Sequence, residues 1–305
     1  MKRIRIVNMV ICKLPNAGLG NQLFPLMRAY TFAYLNKLPV MVLNYHQIKP
    51  GPWIRGEKNK RNYKGFFVFE KNIISLGWDN LKLKSIYKTA IIEPEIKVIE
   101  TDKAIANSFL FKEIPHYSSR FNGLKENRDL VIQLLRKLVK PENKEKLNQL
   151  TDPVIGVHIR MGDFRKLKEG EEFGKMGTVR TPEDYFINTI NDIRKLHGSE
   201  LPVSVFTDGL KKELPGLFKL KNITLIEGNK DLVDLLLLSR SKIIVTSASS
   251  TFSYWAAFIS DAAIIMHPGY TGIKIRPENV WNAMYEGAFD GRNNQLIKFI
   301  KSIEK

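Results

Sequence analysis

Residues 154–164 read V-I-G-V-H-I-R-M-G-D-F, an apolar run with His158, Arg160 and Asp163 set close together at its end. Residues 154–159 have the length and composition of a buried β-strand, and Met161, Gly162 and Asp163 suit the turn that ends it. Alternation puts Gly156, His158 and Arg160 on one face and Ile155, Val157 and Ile159 on the other. A histidine and an arginine side by side near the C-terminal end of a strand stand where open α/β sheets bind ligands. The expectation is that this strand end holds the charged part of an anionic substrate.

Downstream, strand and helix patterns alternate. Residues 181–196 read as a helix, with Thr181 as N-cap and Pro182 at the first position. Strands follow at 203–207, 223–226, 243–246 and 262–266, with helices at 231–239 and 252–260. That alternation predicts a parallel, doubly wound sheet. Upstream, residues 3–11 read as a strand, residues 21–35 as a helix with an apolar stripe and Pro25 in its first turn, and residues 39–43 as a second strand. Residues 45–112 show no regular pattern and suit loops and short helices lining an acceptor cleft. Residues 130–139 read as a helix, and residues 140–152 as a linker or inter-domain helix. The chain is thus expected to be α/β, with two Rossmann-like domains (1–150 and 151–305) facing a central cleft and the C-terminal helix packing back on the first.

A length of 305 residues suits two domains. The one cysteine, Cys12, lies in an apolar run and reads as a small buried hydrophobe of a reducing compartment. Arg3 and Arg5 interrupt the N-terminal run, which is too short for a signal core or a membrane span. A cytoplasmic location is expected, with peripheral attachment to the inner face of a membrane as an option for the formal charge of +17. That charge also fits small anionic ligands, or a basic protein that binds nucleic acid or a membrane surface. The denser basic region (Lys49, Arg55, Lys58, Lys60, Arg61, Lys64, Lys71) has no interleaved aromatics of the kind that stack bases, so nucleic acid is not expected as a partner.

Polar groups gather at three predicted strand ends. The first holds His158, Arg160 and Asp163. The second is Asp208, which suits ribose hydroxyls or guanine N–H groups, or serves as a turn acid before Gly209. The third is the turn Ser249-Ser250-Thr251-Phe252-Ser253, whose hydroxyls and N–H groups suit either a phosphate or ordinary helix capping. In the first half, Gly18, Gly20, Asn21 and Gln22 form a glycine loop at a helix start. It is neither a dinucleotide fingerprint nor a P-loop, and reads equally as a ligand loop or a tight turn. No Asp-x-Asp pair suited to Mg²⁺ and no Cys/His cluster suited to zinc is present, so no metal is expected. Together these features describe a nucleotide-diphosphate pocket with arginine in place of a cation.

These motifs, in this order, resemble the bacterial α-1,2-fucosyltransferases (glycosyltransferase family 11) of the wider fucosyltransferase superfamily. G-L-G-N-Q-L-F (18–24) is similar to the family's G-G-L-G-N-Q-M-F, and V-H-I-R-M-G-D-F (157–164) to V-H-I-R-R-G-D-Y. P-E-D-Y-F (182–186), V-F-T-D (205–208), the segment 234–244 and S-S-T-F-S-Y-W-A-A (249–257) are similar to later family segments. The resemblance implies a GT-B-like, metal-independent, inverting enzyme that moves fucose from GDP-β-L-fucose to a glycan acceptor, an oligosaccharide or a lipid-linked surface polysaccharide. It implies that Arg160 holds the diphosphate, and that Gly20, Asn21, Asp208 and residues 250–253 frame the nucleotide. His158 and Asp163 are the candidates for catalytic base, with orientation of Arg160 as the other role for Asp163, and a dissociative reaction needs only a weak base. Met161 stands where the family has a second arginine, which leaves Arg165 or Arg180 to supply charge, or a different donor. Ala17 and Ser249 stand for a glycine and an asparagine.

Overall fold

The structure, a computed structural model, describes residues 9–45, 54, 63, 65–69, 89–171, 173 and 179–304. Expectations for residues 3–8 and for the densest basic region fall outside these residues. Two compact units divide the chain, and along the described elements the changeover falls between Pro141 and Glu142.

In the first unit, β1 (Val10–Lys13) buries three apolar residues, and Cys12 is one of them; burial pushes its thiol pKa well up and makes it a poor nucleophile. Helix α1 (Leu19–Leu35) starts two residues earlier than expected, so Pro25 lies in its interior rather than its first turn and has no N–H to give to the carbonyl of Asn21. β2 (Val40–Leu43), the short β3 (Ile91–Ile92), helix α2 (Thr101–Ala106) and β4 (Phe109–Phe111) follow. The strands form a parallel sheet in the order β2-β1-β4-β3. Phe32 of α1 lays its ring against Phe109 and Phe111 at 4.8 and 5.6 Å, fixing the helix on the sheet. Helix α3 (Arg128–Leu138) closes the unit.

Helix α4 (Pro141–Asn148), a proline at its first position, spans the changeover into the second unit. Then come β5 (Ile155–Ile159), α5 (Glu183–His197), β6 (Val203–Thr207), β7 (Ile223–Leu225), α6 (Asp231–Leu238), β8 (Ile243–Val245), α7 (Thr251–Ile259), β9 (Ala263–Ile265), α8 (Glu278–Ala283), β10 (Glu286–Gly287) and α9 (Asn294–Lys301). All six strands are parallel, in the order β10-β9-β8-β5-β6-β7. β5 is buried at every residue. Its Ile155, Val157 and Ile159 pack with Phe186, Ile190 and Ile193 of α5. On the other face, a Cβ added to Gly156 would sit 2.7 Å from Leu238 Cδ1 and 2.2 Å from Ser241 Oγ, so only glycine lets the end of α6 lie this close. Leu296 and Ile300 of α9 are buried in the core that α5 lines.

β10 is held by a wholly buried ion pair. Arg276 Nε donates to Glu286 Oε2 at 3.0 Å, and its other nitrogens reach the carbonyls of Ser260, Ala262, Met284 and Tyr285. Tyr285 and Gly287 turn their carbonyls to β9, and the carbonyl of Glu286 between them takes Lys274 Nζ at 2.5 Å. Among the described residues no helix is long and apolar enough to cross a membrane.

Candidate active site

The second sheet reverses its winding between β5 and β8: from β5 the chain runs outward to β6 and β7, and from β8 the other way to β9 and β10. Loops leaving two such neighbours diverge and open a crevice at their C-terminal ends. Arg160 is the first residue past β5, and Ser247 lies two past β8. The Arg160 N–H donates to Ser247 Oγ at 3.0 Å, so the two loops are tied where they part.

The register pairs Ile159 with Thr207, which brings Arg160 level with Asp208. Arg160 Nη1 donates to Asp208 Oδ2 at 2.5 Å, and Nη2 donates to Asp163 Oδ1 at 2.5 Å. The planar guanidinium fork spans two carboxylates, as an ammonium does not. Asp208 Oδ1 also accepts the N–H groups of Met161 and Gly162 at 2.8 and 3.2 Å. Asp208 therefore braces the turn that carries Arg160, as the turn-acid alternative of the sequence reading has it.

Met161 is buried in the α5 core, 4% exposed. It fills the space that a side chain at Gly209 would need; a Cβ there would meet Met161 Sδ at 2.4 Å. The position that carries an arginine in the resembling sequences thus points its side chain inward here. The two substitutes weighed for the charge both face carboxylates. Arg165 meets Glu171 at 2.6 and 3.1 Å, and Arg180 meets Glu213 at 3.0 Å. Bonding to Arg165 lowers the Glu171 pKa.

His158 is 5% exposed and stacks on Phe252 of α7, ring centroids 4.8 Å apart and planes at 21°. Its Nδ1 is buried without a hydrogen-bond partner. Burial brings its pKa down to about 3, against a smaller opposing pull from Asp208. The ring is neutral at ordinary pH and a weak base.

The turn before α7 is closely knit. Ser247, Ser250 and Ser253 are buried, and Ser253 Oγ donates to the carbonyl of Ser250 at 3.2 Å. Ser250 is the N-cap residue, and Thr251 and Phe252 open the helix, with no side-chain cap. Ser249 has φ 60°, in the left-handed region that asparagine tolerates better than serine, a physical reason for the asparagine at this place in the resembling pattern. Its N–H donates to the Tyr254 hydroxyl at 3.0 Å. Thr181 does not cap α5, whose N-cap residue is Pro182; its hydroxyl instead accepts the Ala248 N–H at 2.9 Å and lies 3.3 Å from Ser247 Oγ. Thr181, Ser247 and Tyr254 are the site residues that sequence reasoning missed. A threonine before a proline signals a cap, and only the fold shows its other partners.

The structure thus brings His158, Arg160, Asp163, Asp208 and the 249–253 turn together at one sheet edge. Gly18, Gly20, Asn21 and Gln22 belong to the first unit. There Gly18 is the N-cap residue of α1, the Leu19 N–H donates to the Tyr63 hydroxyl at 2.8 Å, and Gln22 Nε2 donates to the Pro15 carbonyl at 3.0 Å. Among the described residues no group of three or more His, Cys, Asp or Glu is placed to hold a metal ion.

The sequence model described as glycosyl transferase family 11 matches residues 114–283, which span the whole Arg160 constellation. The chain belongs to glycosyl transferase family 11. No curated protein matches the sequence of this family 11 chain. Among solved structures, fucosyltransferase NodZ from Bradyrhizobium is similar over 87% of this chain and 97% of its own, with 15% identity and a TM-score of 0.51. NodZ α-1,6-fucosyltransferase co-crystallized with GDP is similar over 85% and 94%, with 16% identity and a TM-score of 0.50. At such identities the likeness is one of fold, and it makes this family 11 member a GT-B-like α/β protein.

Proposed function

We propose that this chain is an inverting, metal-independent fucosyltransferase that moves L-fucose from GDP-β-L-fucose to a hydroxyl of a glycan acceptor. The observation that carries the reading is Arg160, held by two carboxylates at the switch point of the second sheet, beside a serine turn at a helix start. Family membership supports glycosyl transfer. The GDP complex of NodZ, a protein of the same fold, supports GDP-fucose as donor. The resemblance of the 157–164 and 249–257 motifs supports the 2-hydroxyl of a galactoside as acceptor, on an oligosaccharide or a lipid-linked polysaccharide assembled at the cytoplasmic face of a membrane.

In this reaction the bond from fucose C1 to the β-phosphate oxygen breaks, and its electron pair leaves with GDP. Arg160 sets its guanidinium, whose charge Asp208 and Asp163 offset in part, against the charge growing on that oxygen, in the part a cation plays elsewhere. N–H groups and hydroxyls of the 249–253 turn hold the phosphates, with the dipole of α7 behind them. The acceptor oxygen bonds C1 from the opposite face, which turns the β donor into an α product. Its proton passes to a carboxylate, for which Asp163 is nominated over the buried His158. A loose transition state asks little of this base.

A second reading keeps the fold and changes the donor sugar nucleotide. It is favoured by buried Met161, which leaves one guanidinium where the resembling pattern has two. Incubation with GDP-fucose and a panel of β-galactosides tests the first reading: fucosyl product and released GDP are expected, undiminished by EDTA. Absence of both with every acceptor defeats it. A thermal shift with UDP and none with GDP favours the second.

A further inference from the structure

Three segments converge at the switch point, and two buried hydroxyls join them. Ser247 is wholly buried and Thr181 is 5% exposed. Ser247 Oγ accepts the Arg160 N–H at 3.0 Å and lies 3.3 Å from Thr181 Oγ1, and one hydroxyl of this pair donates to the other. Thr181 Oγ1 also accepts the Ala248 N–H at 2.9 Å. The chain of contacts therefore runs from the backbone of Arg160, through Ser247, to Thr181 and back to the turn before α7. Thr181 is itself fixed from the β5 side, because the Arg180 N–H donates to the Arg165 carbonyl at 2.9 Å and Val179 bridges Arg165.

We infer that Thr181, acting with Ser247, is a positioning residue that sets the distance between Arg160 and the serine turn. The inference rests on the proposed reading, in which those two elements grip one diphosphate. A ligand held from two loops is bound tightly only if the loops are already at the right separation, and an ångström of play is enough to lose much of the grip. Asp208 and Asp163 aim the Arg160 side chain. The hydroxyl pair ties its backbone to the turn before α7, from a place shielded from water, where hydrogen bonds are strong and an orphaned donor is expensive. Thr181→Val keeps the shape of the side chain but orphans the Ala248 N–H and leaves Ser247 with one partner fewer. The tie between the loops is loosened while the donor pocket keeps its residues.

Titration calorimetry with GDP and with guanosine, on the wild type, Thr181→Val, Thr181→Ser and Ser247→Ala, tests this. Thr181→Val and Ser247→Ala are each expected to weaken GDP about tenfold, while guanosine, which lacks the diphosphate, binds as before. Thr181→Ser keeps the hydroxyl and is expected to restore GDP affinity. Wild-type GDP affinity in Thr181→Val, or equal losses for GDP and guanosine in both hydroxyl-deleted variants, overturns the inference and leaves the fucosyltransferase reading standing. A wild-type chain that binds no GDP overturns that reading and this inference with it. Should Thr181→Val fail to fold, Ser247→Ala decides by the same comparison.

Discussion

Asp208 holds both the side chain and the backbone of the turn that bears Arg160: its Oδ2 meets Arg160 Nη1 at 2.5 Å, and its Oδ1 takes the N–H groups of Met161 and Gly162. The guanidinium needs its fork to span Asp208 and Asp163, so Arg160→Lys should fail although it keeps the charge. We expect Arg160→Lys and Arg160→Ala each to lower turnover with GDP-fucose by about 10²-fold or more, with folding intact. Steady-state rates close to wild type in either variant would remove Arg160 from the chemistry.

Met161→Arg looks like a repair of the motif and should act as a lesion. The side chain at this position is buried against Gly209, and a guanidinium there has no place for its charge. The variant should lose about 3–5 kcal/mol of stability in urea unfolding. An unchanged midpoint together with tighter GDP binding would show that the side chain can turn outward.

The depressed pKa of His158 makes stability depend on pH. In the unfolded chain the imidazole takes a proton near its ordinary value of 6.5, whereas in the fold it resists until about 3. As pH falls through that window the unfolded state alone gains the proton, and stability drops by at most about 1.4 kcal/mol per pH unit. Above the ordinary value both states are neutral and the effect is absent. His158→Phe keeps a ring to stack on Phe252 and should flatten this part of the profile. Equal slopes for variant and wild type, from urea midpoints across the window, would count against the burial argument.

Glu286→Gln should destabilise the second unit by about 3 kcal/mol, because the Arg276 charge stays buried without its carboxylate. Removing both charges, as Arg276→Met with Glu286→Leu, should recover much of the loss. A single variant that melts with the wild type would show that the pair contributes little.

The strand β5 is legible because four apolar or small residues in a row, 154–157, run on through His158 to Ile159, and the turn after it announces itself with glycine and aspartate. The parallel second sheet follows from regular alternation of such runs with helical ones. β4 escapes because its three residues, Phe109–Phe111, are too few to show a period, and its neighbours in the sheet are distant in sequence. The direction of Met161 escapes because alternation stops constraining side chains once the strand ends. Asp208 beside Gly209 reads locally as a turn or a ligand; the register of β5 and β6 is what sets it opposite Arg160. The pair Arg276 and Glu286 leaves no local trace, since each residue alone reads as solvated surface.

The outermost strand, β10, is also where the sheet ends. It is two residues long, its carbonyls at Tyr285 and Gly287 go to β9, and the carbonyl of Glu286 between them is taken by Lys274. A strand from another molecule seeking to extend the ladder meets an ammonium group where it needs a free acceptor. Lys274 thus caps the acceptor that an added strand would need, and Lys274→Ala would leave that carbonyl open.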